Sequence, residues 1–245
     1  PRLTLILSKS QAWVQGKDGA EEWKGVPNGL PVTELSLPEY DNNHNSCIWG
    51  YMWGYDWNSA EKGDNISKPK TDADFTPLGL MNYSEVCFLK AEAALRGWQG
   101  AGDAKTNYEN GIRASFEEMR ANAPKDSYSK SNDDKYISEG NVAWNNADSF
   151  EAKLEKIITQ KWIGIYPNSE EAWAEFRRTG YPKLNPVKQS LEPTINPKNG
   201  EFIKKLRYVD NELSNNKEYA TDPTLNGGQG DGLSVRVWWD TARYK

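Results

Sequence analysis

Cysteine and histidine are scarce in this chain of 245 residues, which has two cysteines and one histidine. These are too few for the cysteine and histidine cages that hold structural zinc. His44 has no second histidine to join it in a metal site, so it is interpreted as a solvated loop residue. Cys87 falls within a helical pattern and is expected to be a small buried residue. Whether it is bonded to Cys47 stays open at this point.

Long apolar runs and blocks of basic residues are missing as well. No apolar stretch approaches the ~20 residues needed to cross a bilayer, and the mean hydropathy is −0.85. The net charge is −5, so neither nucleic acid nor an anionic membrane surface is an expected partner. The chain begins at Pro1 without a signal peptide, and we expect a segment to precede it in the full protein.

The motifs of common catalytic sites are also absent. There is no Gly-x-Ser-x-Gly elbow and no phosphate-binding glycine loop with lysine. A glycoside hydrolase needs two carboxylates across the scissile bond, and no spacing favours a pair such as Glu21 with Asp41. We therefore expect neither an enzyme nor a cofactor. Asp41, Asp133 and Asp134 stay open as oxygen ligands for a hard cation such as Ca²⁺.

Tryptophan and tyrosine are abundant instead, with 11 and 12 residues against 6 phenylalanines. Five of them alternate with other residues in residues 49–57, here called the aromatic ladder: Trp49, Tyr51, Trp53, Tyr55 and Trp57. In an extended backbone every second side chain points to the same face, so all five rings would share one side. Such a row would crowd a core, but it suits a surface that grips flat, partly apolar ligands such as sugars.

The predicted binding residues are the five rings of the ladder with the polar neighbours Asp56 and Asn58. The three ladder tryptophans are the first candidates for stacking, and two or three rings at most can contact one short ligand. Trp98, in a glycine-rich link, is a second candidate. The alternative for each of these aromatic residues is that it fills irregular packing between helices and loops.

Three regions differ in their sequence pattern. Residues 1–78 are rich in glycine, proline and asparagine and read as a loop-rich ligand-binding region. Residues 79–182 have helical periodicity, and residues 183–245 are again loop-rich. Short strands are expected at 3–7 and 235–240. The predicted fold class is mainly α, with helix pairs, long irregular loops and a few short strands.

The first predicted helix begins after Asn82, a possible cap, and ends at Gly97. Its apolar stripe is expected to include Val86, Leu89 and Ala93. A short glycine-rich link then leads to a second helix, so the two should pack as an antiparallel pair.

Three further helices are predicted from start and stop signals. The second helix of the chain begins near Asp103, and the third begins near Ser149 and stops at Pro167. The fourth is short, capped by Ser169 and closed by Gly180.

Six short motifs follow one another in a fixed order along the chain. They are Pro1-Arg2-Leu3, the helix of residues 83–97, the following helix at 108–115, Gln160-Lys161-Trp162, the segment 177–182 and the segment 236–240. Together they resemble the C-terminal part of the SusD/RagB family, the surface nutrient-binding lipoproteins of Bacteroidota. The resemblance covers most of residues 80–240.

This resemblance implies a single SusD-like domain, of which residues 1–245 are the C-terminal part. The implied fold is an α-superhelix of tetratricopeptide-type pairs with an inserted ligand-binding region. The implied location is the outer surface of the outer membrane, held by an N-terminal lipid anchor that this chain lacks. The implied partner is a SusC-like TonB-dependent transporter, and the family is not known for catalysis.

The resemblance also separates structural landmarks from the site. The charged landmarks are expected to hold helices together; they are Glu85, Glu92, Arg177 and Arg178. The last motif is expected to anchor the C-terminus through Trp238, Trp239 and Asp240. The predicted function is capture of oligosaccharides for the transporter. The alternatives are a peptide-binding member of the family, a glycoside hydrolase, and a helical-repeat module that binds protein.

Overall fold

The computed structural model describes most of the chain from residue 79 onward and short parts before it. The described residues are 10–26, 32–35, 37, 40, 46, 79–121 and 129–240. The chain divides into two compact units, one of residues 1–26 and 36–172 and one of residues 27–35 and 173–245.

The regular secondary structure of the described residues is helical, which confirms the mainly α fold class. The helices are α1 (Gln11–Val14), α2 (Val32–Leu35), α3 (Tyr83–Leu95), α4 (Ala104–Arg120), α5 (Asp133–Ser138), α6 (Phe150–Gly164), α7 (Ser169–Thr179), α8 (Asp210–Asn215), α9 (Lys217–Ala220) and α10 (Leu225–Gly228). Short 3₁₀ turns lie at Lys130–Asn132, Gly140–Val142 and Pro197–Asn199.

No β-strand occurs in the part of the chain that the structure describes. The strand expected at 235–240 is therefore wrong: this segment is irregular and closes in a turn, where Asp240 N–H donates to the Val237 carbonyl at 2.9 Å. Val235 is buried and Trp239 stacks on Arg177. The strand expected at 3–7 lies outside the described residues.

Helices α3 and α4 form the antiparallel pair that the short link predicts. Ser84, at the start of α3, donates its backbone N–H to the Glu118 carboxylate at 2.9 Å, near the end of α4. This carboxylate also accepts the Ser84 hydroxyl. Asn82 makes no side-chain capping bond, so the predicted cap is wrong. A carboxylate from the neighbouring helix binds this helix start instead.

The link between α3 and α4 confirms the local signals. Gly97 has a left-handed φ of +77°, and Trp98 N–H donates to the Ala93 carbonyl at 3.0 Å, which closes α3 as the sequence predicts. Asp103 caps α4 by accepting the Thr106 N–H at 2.8 Å.

The core of the first unit is the contact between α3, α4 and α6. The ring of Phe88 is fully buried and faces two glycines. A Cβ atom at Gly111 would lie 2.7 Å from the Phe88 ring, and one at Gly164 would lie 3.2 Å from it. Glycine at these two positions lets the three helices approach closely around one aromatic ring.

The buried face of α3 differs from the predicted stripe. Leu89 is exposed, whereas Glu85 and Glu92 are more than nine-tenths buried beside the apolar contacts. Lys161 of α6 is 1% exposed and lies 3.6 Å from the Glu85 carboxylate. The stripe prediction failed because it counted apolar side chains only, whereas here the buried cation Lys161 is a partner for the buried Glu85.

Helices α6 and α7 begin close to where they were expected. Ser149 accepts the Ala152 N–H at 3.2 Å, which confirms the cap of α6. For α7 the capping oxygen is that of Asn168, which accepts the Glu171 N–H at 3.2 Å, rather than that of Ser169. Gly180, with a φ of +78°, follows the last turn as predicted.

Candidate functional site

The aromatic ladder and its polar neighbours, residues 49–58, lie outside the described residues, so their site role stays a prediction. Trp98, the second candidate, lies in the α3–α4 link with 68% of its surface exposed. An exposed indole on a loop fixed by backbone hydrogen bonds is available to a ligand. The structure thus places one of the eight predicted site residues.

A groove of about 680 Å³ lies in the first unit, a size typical of small-molecule sites. It runs along the outer face of α4 and is bounded by α5 and the segment that follows it. Its lining residues are Lys105, Glu109, Arg113, Asp134, Lys135, Ile137, Ser138, Ala143 and Trp144. The first three are spaced by four along α4, which places them on one face of the helix.

Ion pairs join four of the charged side chains that line the groove. Arg113 donates to Asp134 Oδ1 from Nη2 at 2.9 Å and from Nε at 3.1 Å. Glu109 lies 3.7 Å from Arg113 and 3.8 Å from Lys105. The Asp134 side chain is 81% exposed, so these pairs are open to water and are individually weak.

Trp144 supplies an aromatic wall to the groove. Its ring centroid is 5.4 Å from that of Tyr108, which is fully buried and donates its hydroxyl to the Val142 carbonyl at 2.8 Å. The indole N–H of Trp144 donates to Asn146 Oδ1 at 3.0 Å. The indole is therefore held in a fixed orientation by its neighbours.

The second unit contains an aromatic and cationic cluster around Arg177. Its guanidinium lies 3.7 Å from the Trp173 ring centroid and 4.8 Å from that of Trp239. Arg177 Nη1 donates to the Lys204 carbonyl at 3.1 Å, and Trp173 Nε1 donates to the Ile203 carbonyl at 2.8 Å. These contacts tie the end of α7 to a loop by stacking and by backbone carbonyls.

Asp240 is the anion of this cluster. Its carboxylate accepts a short hydrogen bond from Arg236 and lies 3.8 Å from Lys204 Nζ. Burial lowers the pKa of Lys204, and the charges of Arg236 and Arg177 lower it further, whereas Asp240 raises it. Burial also lowers the pKa of Arg177, and Asp240 opposes that shift. The cluster anchors the C-terminal segment and has the features of a structural contact.

The structure supports some of the landmark interpretations and contradicts that of Trp238. Glu85 joins α3 to α6 through Lys161, and Trp239 and Asp240 anchor the C-terminal segment through Arg177 and Lys204. Glu92 pairs with Arg96 at the end of its own helix, and Arg178 pairs with Glu175 within α7. Trp238, expected to do the same, is 92% exposed. A turn places adjacent side chains on different sides, so only one of the two indoles faces the cluster.

The possible cation ligands of α5 are occupied by arginines. Arg120 donates a short hydrogen bond to Asp133, and Arg113 binds Asp134. Across the described ranges no group of three or more candidate metal ligands occurs. Asp41 lies outside those ranges, whereas Cys87 is a buried free thiol.

Comparison with known families gives a specific result. Residues 36–240 match the SusD-like family, described as Susd and RagB outer membrane lipoproteins. This chain belongs to the SusD-like family. The match covers well over half of the chain and confirms the resemblance inferred from the six motifs. No curated protein sequence matches the chain.

Solved structures of SusD homologues share the fold of this SusD-like chain. A chitin-binding SusD homolog from Flavobacterium johnsoniae is 31% identical over 99% of this chain, with a TM-score of 0.68. A homolog from Bacteroides ovatus is 31% identical over 98%, with a TM-score of 0.65. A SusD-like protein from Bacteroides thetaiotaomicron is 26% identical over 98%, with a TM-score of 0.65.

This SusD-like chain spans about half the length of those structures, since it covers 46%, 49% and 47% of them respectively. None of the helices in the described part is long and apolar enough to cross a bilayer.

Sequence reasoning missed the groove. Its α4 stripe of Lys105, Glu109 and Arg113 is visible as charges spaced by four, but such a stripe is also the ordinary solvent face of a helix. What makes it one wall of a groove is the approach of α5 and Trp144, which no local pattern indicates.

Proposed function

We propose that this chain is part of a non-catalytic protein that captures oligosaccharide nutrients at the cell surface. The observation that carries the proposal is the 31% identity to a chitin-binding SusD homolog along 99% of this chain. The family description as outer membrane lipoproteins supports the location. We further propose that the captured ligand passes to a SusC-like TonB-dependent transporter.

The aromatic ladder is the proposed binding surface. One ring that covers about 50 Å² of sugar C–H surface contributes about 1.2 kcal/mol, so three rings supply roughly 4 kcal/mol. After the cost of ordering the ligand, and with a few hydrogen bonds from groups such as Asp56 and Asn58, a Kd between ~1 mM and tens of micromolar follows. Affinity in this range allows capture and subsequent release.

Calorimetric titration of the full-length protein with chitooligosaccharides tests this proposal. The double substitution Trp53→Ala and Trp57→Ala should weaken binding at least tenfold, because two stacking surfaces are lost. Trp238→Ala is the matched control, since that indole is 92% exposed and lies outside the ladder. Unchanged affinity in a folded double variant would remove the ladder from the site, and the Trp98→Ala variant would then test the second candidate.

A further inference from the structure

The α4–α5 groove has a charge that its own side chains do not neutralise. It contains three cations, Lys105, Arg113 and Lys135, and two carboxylates, Glu109 and Asp134, which leaves a net charge of +1. Both carboxylates are already paired with Arg113 or Lys105. Within the described ranges Lys135 is exposed and forms no ion pair. The uncompensated positive charge therefore lies at Lys135.

The existing ion pairs can exchange with a ligand. The side chains of Lys105, Arg113 and Asp134 are 51%, 42% and 81% exposed, so water already competes for their charges. Exposed pairs contribute little to stability, and a ligand anion can therefore take over a cation at small cost. The freed carboxylates accept hydrogen bonds from hydroxyl groups.

The aromatic part of the groove lining is held in place by its neighbours. Trp144 is held by the Tyr108 ring and by Asn146, and Ile137, which is 4% exposed, lines the groove beside it. A ligand here meets the indole and apolar groups of the lining as well as charged donors and acceptors, and Lys153 Nζ lies 6.0 Å from the Trp144 ring centroid. Ring compounds with an apolar C–H face and polar edges fit that combination.

We propose that this groove is a second binding site, specific for an acidic saccharide that carries a carboxylate or a sulfate ester. The indole of Trp144 contacts the sugar face, Lys135 and Arg113 bind the anionic group, and Glu109 with Asp134 accept from hydroxyls. None of the residues named for this site belongs to the aromatic ladder, and the proposed occupancy does not depend on the function proposed for the ladder.

Fluorine NMR of the full-length protein labelled with fluorotryptophan tests the proposal directly. The Trp144→Phe variant assigns the Trp144 resonance. Digalacturonate and a sulfated N-acetylglucosamine are the anionic probes, and N,N′-diacetylchitobiose is the neutral one. At millimolar concentration at least one anionic probe should shift the Trp144 resonance, and raised ionic strength should weaken that binding. The two anionic probes distinguish a carboxylate from a sulfate ester.

Two substitutions distinguish binding in the groove from a general effect of the protein's charge. Lys135→Gln should weaken binding of the anionic probe about tenfold, because one charge-assisted contact is lost. Lys130→Gln is the matched control, since Lys130 is 76% exposed and pairs with Glu117 away from the groove lining. The proposal is overturned if neither anionic probe moves the Trp144 signal, if diacetylchitobiose binds equally well, if inorganic sulfate alone gives the same shift, or if Lys135→Gln has no effect. Each of these results leaves the ladder's own binding test unaffected.

Discussion

The helical core of α3, α4 and α6 and the loop-rich segment from Trp173 to Asp240 are stabilised in different ways. The core buries apolar side chains around Phe88 and encloses one cation, Lys161. The helices of the loop-rich segment after α7 are short, and Arg177 ties the segment together through stacked indoles and a backbone carbonyl. Helices with a periodic apolar face are held by burial of that face. Segments without such a face are held by individual hydrogen bonds and stacking contacts.

The largest predicted effect is in the helical core. Lys161 lies 2.8 Å from Glu171 and 3.6 Å from Glu85. Lys161→Met leaves a buried carboxylate without its cation, and we expect a loss of about 4 kcal/mol in the free energy of unfolding, measured in urea. Lys105→Met removes an exposed pair and should cost no more than about 0.5 kcal/mol. Similar losses for the two variants would show that the buried cation has no special role.

A steric test of the same core is the addition of one methyl group. Gly111→Ala places a Cβ atom 2.7 Å from the Phe88 ring, so overpacking should destabilise the protein by about 2 kcal/mol. The intrinsic preference of helices for alanine opposes this overpacking by about 1 kcal/mol, which leaves a net loss of about 1 kcal/mol in the free energy of unfolding. Phe88→Leu in the same chain should recover part of the loss, as a double-mutant cycle would show. A stabilising Gly111→Ala would contradict the close approach.

The test in the loop-rich segment keeps the charge of the Arg177 side chain and changes its shape. Arg177→Lys keeps the positive charge but loses the planar group that stacks on Trp173 and Trp239, and we expect a loss of about 1 kcal/mol. Arg178→Lys is the matched control, because that neighbour is 39% exposed and pairs with Glu175. Equal thermal unfolding of the two variants would mean that charge alone matters at Arg177.

The smallest effect concerns the cap of α4. The Thr106 hydroxyl and N–H hold the pKa of Asp103 below its ordinary value. The stabilisation is therefore complete above the unfolded pKa, about 4, and is lost as the pH falls through the lower folded pKa. Asp103→Ala should cost about 0.5–1 kcal/mol at neutral pH and less in acid, measured by urea unfolding at several pH values. Asp103→Asn should keep the cap and remove its pH dependence, and a pH-independent loss for alanine would exclude the ionised cap.

Local signals predicted the parts of the fold that depend on neighbouring residues. Ser149, Asp103 and Gly97 begin or end helices as the sequence indicates, because each acts within three or four residues of itself. The predicted buried face of α3 was wrong, because Glu85 points inward towards Lys161, a cation 76 positions away in the chain. Long-range ion pairs leave no periodic signal.

The two candidate sites also differ in whether local sequence or the folded structure reveals them. The ladder rests on a strict alternation that the sequence shows directly, and it stays a prediction because residues 49–58 lie outside the described part of the chain. The groove rests on the meeting of α4, α5 and Trp144, which only the folded structure brings together. Likewise, sequence alone could not show which of Trp238 and Trp239 faces inward.

We propose that the full-length protein captures oligosaccharides. The most direct measurement compares its binding to a glycan array with its binding to a peptide library under the same conditions. We predict selective retention of oligosaccharides, reduced by the Trp53→Ala and Trp57→Ala substitutions, and no turnover of the bound glycan. Enrichment of peptides with no glycan retained would contradict the account, and hydrolysis of a bound glycan would contradict its non-catalytic character.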